Sequence, residues 1–156
     1  MKDYYSVIAK GYNVLHEKEQ LKKIFMIKSK LQPKGFILDI GCGTGISSKW
    51  KHCIGIDPSL GMLKHSKKNK ICAKAEALPF KNKSFDTIIS ITALHHTDID
   101  KVVKEIKRVA KPKAKLALTI LKKSKKSKQS INKLKKSFKL KQYEENKDYI
   151  LIGSIS

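Results

Sequence analysis

Residues Phe36 to Ile40 form a short apolar run that ends abruptly in Gly41-Cys42-Gly43-Thr44-Gly45. A strand that empties into a glycine-rich turn lets a ligand approach the backbone, because glycine has no Cβ to block it. Such a turn belongs to α/β domains, so the rest of the chain should supply further strands and crossover helices.

It does. Cys53 to Asp57, Ile71 to Ala73, Phe85 to Ile91 and Leu116 to Leu121 read as further strands. Their continuous apolar runs suit parallel strands covered on both faces. Glu17 to Leu31 carries Leu21, Ile24, Phe25 and Leu31 at helical spacing, and Pro33-Lys34-Gly35 breaks that helix. Pro58 opens a helix that should run to about Lys68, with Leu60 and Leu63 facing inward. Thr97 or Asp98 can cap the next helix, where Ile99, Val102, Val103, Ile106, Val109 and Ala110 form one apolar stripe that Pro112 closes. Leu140 to Glu144 and Tyr149 to Ile155 then read as a hairpin around Asn146. At 156 residues the chain fits one domain. We divide it into an N-terminal helical segment (1–33), a cofactor-binding core (34–121) and a basic helix with terminal hairpin (122–156).

Two carboxylates give the glycine turn its chemistry. Asp39, two residues before Gly41, would repel a pyrophosphate but suits an ammonium group such as that of a methionine moiety, directly or through water. Asp57, at the end of the second strand, is placed to accept hydrogen bonds from both hydroxyls of a ribose. That second role is shared by nicotinamide-dependent oxidoreductases, which Asp39 disfavours.

Asp39-Ile40-Gly41-Cys42-Gly43-Thr44-Gly45 resembles the first motif of class I S-adenosylmethionine-dependent methyltransferases. Ala75-Glu76-Ala77-Leu78-Pro79-Phe80 with Ser84-Phe85-Asp86, then Leu94-His95-His96, then Glu105 to Pro112, is similar in order to the ubiquinone/menaquinone-biosynthesis-like subgroup. The resemblance runs from about Ile37 to Leu121. It implies a Rossmann-like, doubly wound, mostly parallel seven-stranded sheet with a reversed terminal strand, helices on both faces, and S-adenosylmethionine as cofactor. Gly41, Gly43 and Gly45 would line the methionine end, with Ile91 beneath it, and Asp57 would hold the ribose. Met62 matches a position that packs on adenine, and a plain core role is the other reading. Ala75 and Glu76 match the loop beside the adenine. Tyr12 resembles an aromatic that closes over the cofactor in some relatives, and a purely structural tyrosine is the alternative.

The sequence departs from the pattern twice. Lys74 stands where close relatives have an acidic residue bonding the adenine amino group, and an ammonium only donates; Glu76 is the available substitute. Only residues 46–56 separate Gly45 from Asp57, so the first crossover helix should be cut to about two turns.

His95 and His96 are the catalytic candidates, since imidazole takes a proton near neutral pH. A structural role just before a helix cap is the competing reading. Methyl transfer does not require a base, because in-line placement of the acceptor supplies much of the acceleration.

The charge bears on the acceptor. The chain carries 35 basic against 13 acidic residues, a net +22, and every basic residue except Arg108 is lysine. Such a surface attracts polyanions, although arginine is the usual reader of bases and phosphates. Lys122, Lys123, Lys125, Lys126 and Lys128 crowd one segment, in which Ile131, Leu134 and Phe138 recur at helical spacing. Residues 122–136 are therefore a candidate RNA anchor. The expected function is methyl transfer to an O, N or C nucleophile on a small molecule. The alternatives are a tRNA or rRNA methyltransferase, and a catalytically silent basic module that binds RNA or a partner. Cys42, Cys53 and Cys72 show no disulfide or zinc spacing, so no metal is expected. Nothing resembles a targeting segment or membrane span, and a cytoplasmic location is the expectation.

Overall fold

A computed structural model describes residues 4–46, 50–66 and 69–155, with side chains of the first helix from residue 17 onward. Twelve elements follow in chain order. They are α1 (Tyr4–Leu31), β1 (Ile37–Ile40), β2 (Cys53–Asp57), α2 (Leu60–Leu63), β3 (Lys70–Cys72), β4 (Phe85–Ser90), a 3-10 turn (Leu94–His96), α3 (Ile99–Val109), β5 (Ala110–Leu121), α4 (Ser127–Ser137), β6 (Lys139–Glu145) and β7 (Asp148–Ser154).

The strands make one seven-stranded sheet in the order β3-β2-β1-β4-β5-β7-β6. The neighbours from β3 to β5 pair in parallel, and β7 runs antiparallel to both β5 and β6. This is the doubly wound arrangement with a reversed last strand.

Pleating sends alternate residues to opposite faces, and the two faces build two cores. Leu38, Ile40, Ile56, Ile88, Leu116 and Leu118 meet the buried stripe of α3 (Ile99, Val102, Ile106, Val109) and Ile131 and Leu134 of α4. On the other face Ile37, Cys53, Ile89, Ile91, Ala117 and Ile150 meet Ile27 and Leu31 of α1. Helices thus cover both faces. No helix among the described residues is long and apolar enough to cross a membrane.

Four local expectations are corrected. First, α1 reaches back to Tyr4, and Leu21 and Phe25 face solvent while Gln20, Lys23, Ile27 and Leu31 point inward. Second, α2 is a single turn. Ser59 is its cap, accepting from Met62 N at 3.2 Å, so Pro58 lies outside it and Leu60 is exposed. Lys70 Nζ donates to the last carbonyl of α2, Leu63 O, and to Ser66 O just beyond it.

Third, Pro112 does not close α3. The helix stops at Val109, and Ala110 turns to extended geometry as the start of β5, with Asp98 as the N-cap. Pro112 sits where the β4–β5 register shifts between Phe85↔Ala110 and Thr87↔Lys115, the kind of irregular ladder position that tolerates a missing N–H. Fourth, β5 accordingly begins six residues before Leu116. The two-turn helix expected after Gly45 is corrected as well: Ile46, Trp50, Lys51 and His52 are bends and turns leading into β2, and residues 47–49 between them lie outside the described residues.

Candidate active site

The carboxyl ends of β1, β2 and β4 meet at one edge of the sheet, where ligands of open α/β sheets bind. The glycine turn is anchored there by backbone bonds: Gly41 N and Cys42 N both donate to Ile56 O, at 2.8 and 2.9 Å. Asp57 completes the brace. One carboxylate oxygen accepts from Gly43 N at 3.0 Å and the other from Ser59 N at 2.8 Å, so a single side chain ties the turn to the entrance of α2.

Gly41 has no substitute in this geometry. Its φ is +74°, and a Cβ there would lie 2.3 Å from the Ala93 Cβ. Gly43 faces Met62, whose Cε lies 3.0 Å from where a Cβ would stand. Gly45 faces Ser66 Oγ instead, so the last glycine of the motif packs against the segment after α2 and lines neither of the two cavities that flank the turn.

A cavity of about 310 Å³ opens beside this turn. Ile40, Gly41, Gly43, Ile56 and Asp57 form its sheet side. Pro58, Met62, Lys74, Ala75 and Glu76 form one flank, and Thr92, Ala93, His96 and Thr97 the other. Met62 is both buried and in the wall. Glu76 lines the wall while one carboxylate oxygen accepts from Asp98 N at 3.0 Å. A smaller cavity on the far side of the turn is lined by Gln20, Gly41, Cys42, Gly43, Thr44, Ile46 and Ile91.

Asp39 is fully buried and lines neither cavity. It shares its face of β1 with Ile37, and its register partner Ile89 packs under α1, so it lies on the side of the smaller cavity. Burial, then the Asp39 and Asp57 carboxylates, push the Cys42 thiol far up. That cysteine is an inert apolar filler.

The loop carrying Ala75 and Glu76 is held by the chain's one arginine. Arg108 meets Glu105 through Nε and Nη2, both at 2.8 Å, and donates to Leu78 O at 2.8 Å and Phe80 O at 2.6 Å. Glu105 in turn accepts from Leu78 N at 2.7 Å. The guanidinium hydrogen bonds, with the Leu78 N–H, hold the Glu105 carboxyl below its usual range. Arg108 is therefore engaged inside the molecule.

The two histidines part company. His96 lines the main cavity, whereas His95 is half-buried and lines neither cavity. The Tyr12 side chain lies outside the described residues.

Several wall residues went unrecognised in the sequence: Gln20, Thr92, Ala93 and Thr97, together with Lys23 and Asp148 behind the wall. Lys23, on α1, and Asp148, on β7, form an ion pair, both almost wholly buried. One lysine among so many carries no signal, and Asp148 reaches the site only through its register with Leu121.

Comparison with known proteins agrees with this geometry. The profile of a family described as "Methyltransferase domain" matches residues 38–118. MJ1252 of Methanocaldococcus jannaschii is 40% identical over 119 residues, covering 71% of this chain and 47% of that protein. The ubiquinone biosynthesis O-methyltransferase of Pelagibacter ubique is 35% identical over 127 residues, covering 70% of this chain and 52% of that protein. The chain thus spans about half the length of the curated relatives it matches. Among solved structures, the SAM-dependent methyltransferase TM1293 of Thermotoga maritima superposes with a TM-score of 0.77 at 22% identity, covering 94% of each chain, a likeness of fold. With the glycine turn, the Asp57 brace and the strand order already pointing the same way, the chain belongs to the methyltransferase-domain family, whose cofactor is S-adenosylmethionine.

Proposed function

We propose that the chain transfers a methyl group from S-adenosylmethionine to a small-molecule O, N or C nucleophile. The observation that carries this reading is the continuity of the main cavity. It runs from Asp57, at the end of β2, to Thr92, Ala93, His96 and Thr97 beyond β4, giving donor and acceptor one chamber. Asp57 would hold the ribose, with Met62, Ala75 and Glu76 around the adenine. Gly41 and Gly43 would admit the methionine end, with Ile91 and Asp39 on the α1 side. The wall fits this group: the Asp57 carboxylate supplies the acceptor a ribose needs, and Ile56, Met62 and Ala75 supply apolar surface for a base. When bound, the cofactor supplies an electrophilic methyl group on a sulfonium. The chain's own contribution is to align an acceptor against it and to exclude water.

The ordered motifs and the 35% identity to an O-methyltransferase of ubiquinone biosynthesis support placement in that subgroup. Of the O, N and C acceptors, a hydroxyl is the one this relative's name supports. Its proton would pass to a base on the Thr92–Thr97 side, where His96 lines the wall.

One observation favours an RNA acceptor as a second reading. Lys123, Lys125 and Lys126 follow the carboxyl end of β5, the sheet edge that bears the cavity, and are exposed, as is Lys128. Internal partners occupy Lys122, which meets Glu144 at 2.8 Å, and Lys133, which meets Asp100 at 2.6 Å. Because the Arg108 guanidinium is taken by Glu105, Leu78 O and Phe80 O, this surface offers phosphate only lysine.

The deciding experiment supplies labelled S-adenosylmethionine to the protein with cell extract, fractionated with and without ribonuclease. Label in the small-molecule fraction, insensitive to ribonuclease, is the expected result. Ribonuclease-sensitive label would establish the RNA reading. S-adenosylhomocysteine binding without label in any fraction would leave the silent basic module.

A further inference from the structure

Lys23 and Asp148 place two charges where water does not reach. A buried pair of this kind loses hydration that its mutual attraction only partly returns, and two apolar side chains would serve stability equally well. What the pair touches gives it a use. Lys23 Nζ also donates to Thr92 Oγ1 at 2.8 Å, and Thr92 Oγ1 donates to Asp148 Oδ1 at 3.3 Å. From the opposite side, Thr92 N donates to Thr119 Oγ1 at 2.6 Å. Four elements or their ends, α1, β4, β5 and β7, are thereby fastened at one residue.

That residue is strained. Thr92 has a φ of +53°, a left-handed conformation that a β-branched side chain adopts only when its surroundings impose it. The consequence lies in the next few residues. Thr92 and Ala93 are in the cavity wall, Ala93 abuts Gly41, and the Leu94–His96 turn follows directly. His95 sits on that turn with Nδ1 buried and no hydrogen-bond partner among the described residues. The charged and titratable groups in its electrostatic reach are His96, Asp148 and Lys23. Burial, then His96, pushes its pKa below the usual imidazole range.

We propose that Lys23, Asp148 and Thr92 form a positioning cluster for methyl transfer, which holds the Thr92–His96 turn in its left-handed start and so presents the acceptor side of the chamber, His96 included. Lys23 and Asp148 line neither cavity and act through Thr92, which stands in the wall and passes their hold to the turn. The inference rests on the methyl-transfer reading.

The test uses the whole chain and three variants. Thr92→Val removes the hydroxyl and keeps the shape. Thr92→Ser keeps the hydroxyl. Lys23→Met with Asp148→Leu replaces the charges by an apolar pair. Each is measured for S-adenosylhomocysteine affinity, for hydrogen exchange across residues 92–96, and for label transfer to the small-molecule fraction. Thr92→Val and the apolar pair are expected to bind S-adenosylhomocysteine within about twofold of wild type. Their turn should exchange at least tenfold faster and their transfer should fall at least tenfold, while Thr92→Ser restores both to within about threefold. A merely structural role would lower the melting temperature and leave transfer in the folded protein unchanged. Wild-type transfer in Thr92→Val, or unchanged exchange in the turn, would overturn the proposal. Should the apolar pair fail to fold, Thr92→Val carries the test, because the ion pair is intact there. Should wild type bind S-adenosylhomocysteine but transfer no label, the methyl-transfer reading fails by itself, and the exchange measurement alone decides whether the cluster holds the turn.

Discussion

Replacing Gly41 with alanine separates two costs that the structure places at one atom. The first is conformational: at a φ of +74°, an L-residue pays about 1–2 kcal/mol relative to glycine. The second is steric. The new Cβ would stand 2.3 Å from the Ala93 Cβ, and overpacking of this kind costs about 1–3 kcal/mol. Gly41→Ala should therefore destabilise the fold by about 2–5 kcal/mol, read as a lower urea midpoint at unchanged slope. Ala93→Gly alone removes one methyl and adds backbone freedom, at about 0.5–1 kcal/mol. Combined with it, Gly41→Ala should cost only its conformational share, so the double-mutant cycle should show a coupling of about 1–3 kcal/mol. Additivity to within about 0.5 kcal/mol would refute the reasoning, because it would mean that the glycine turn and the Ala93 wall do not touch.

Other outcomes follow from the same geometry. Asp57→Ala removes the ribose acceptor together with the brace between Gly43 N and Ser59 N. Calorimetry should show S-adenosylhomocysteine affinity weakened by about 1–3 kcal/mol, with a drop in melting temperature that a pure ligand contact would not produce. Glu105 has its folded pKa lowered, first by the Arg108 hydrogen bonds. Its contribution to stability is present above the ordinary carboxyl pKa of about 4.3 and is lost as pH falls through the lower folded value. Glu105→Gln should lower the melting temperature at pH 7 and flatten its decline toward pH 3. For the RNA reading, changing Lys123, Lys125, Lys126 and Lys128 to Gln should leave cofactor affinity unchanged. If these lysines meet phosphate, the slope of log affinity against log salt should shallow by roughly 0.7–0.9 for each phosphate no longer neutralised; an unchanged slope removes them as the anchor.

The sequence was most legible where one local rule decided the outcome. Cys53 to Asp57 is a strand with those limits because it is a short apolar run bounded by charge and proline. Asp98 caps α3, accepting from Asp100 N and Lys101 N, as a carboxylate before an apolar stripe should. Gly41 and Gly43 line the main cavity with Asp57, since a turn after a strand leaves few alternatives. Legibility ended where tertiary partners decide. Pro112 reads as a helix stop, yet β5 absorbs it at a register shift. Leu60 and Leu63 look equivalent, but a one-turn helix buries only Leu63. Leu21 and Phe25 have helical spacing but lie on the wrong side of α1. Lys23 and Asp148, 125 positions apart, are joined only by the way α1 crosses the sheet and β7 registers against β5. A threonine at φ +53° leaves no trace in composition or periodicity.

The claim on which the functional reading depends is that the glycine turn and Asp57 hold S-adenosylmethionine in the main cavity. Isothermal calorimetry of the protein against S-adenosylhomocysteine and NAD, with melting curves alongside, tests it directly. S-adenosylhomocysteine should bind with one site per chain and raise the melting temperature by linkage, while NAD does neither. NAD binding without S-adenosylhomocysteine binding would contradict it.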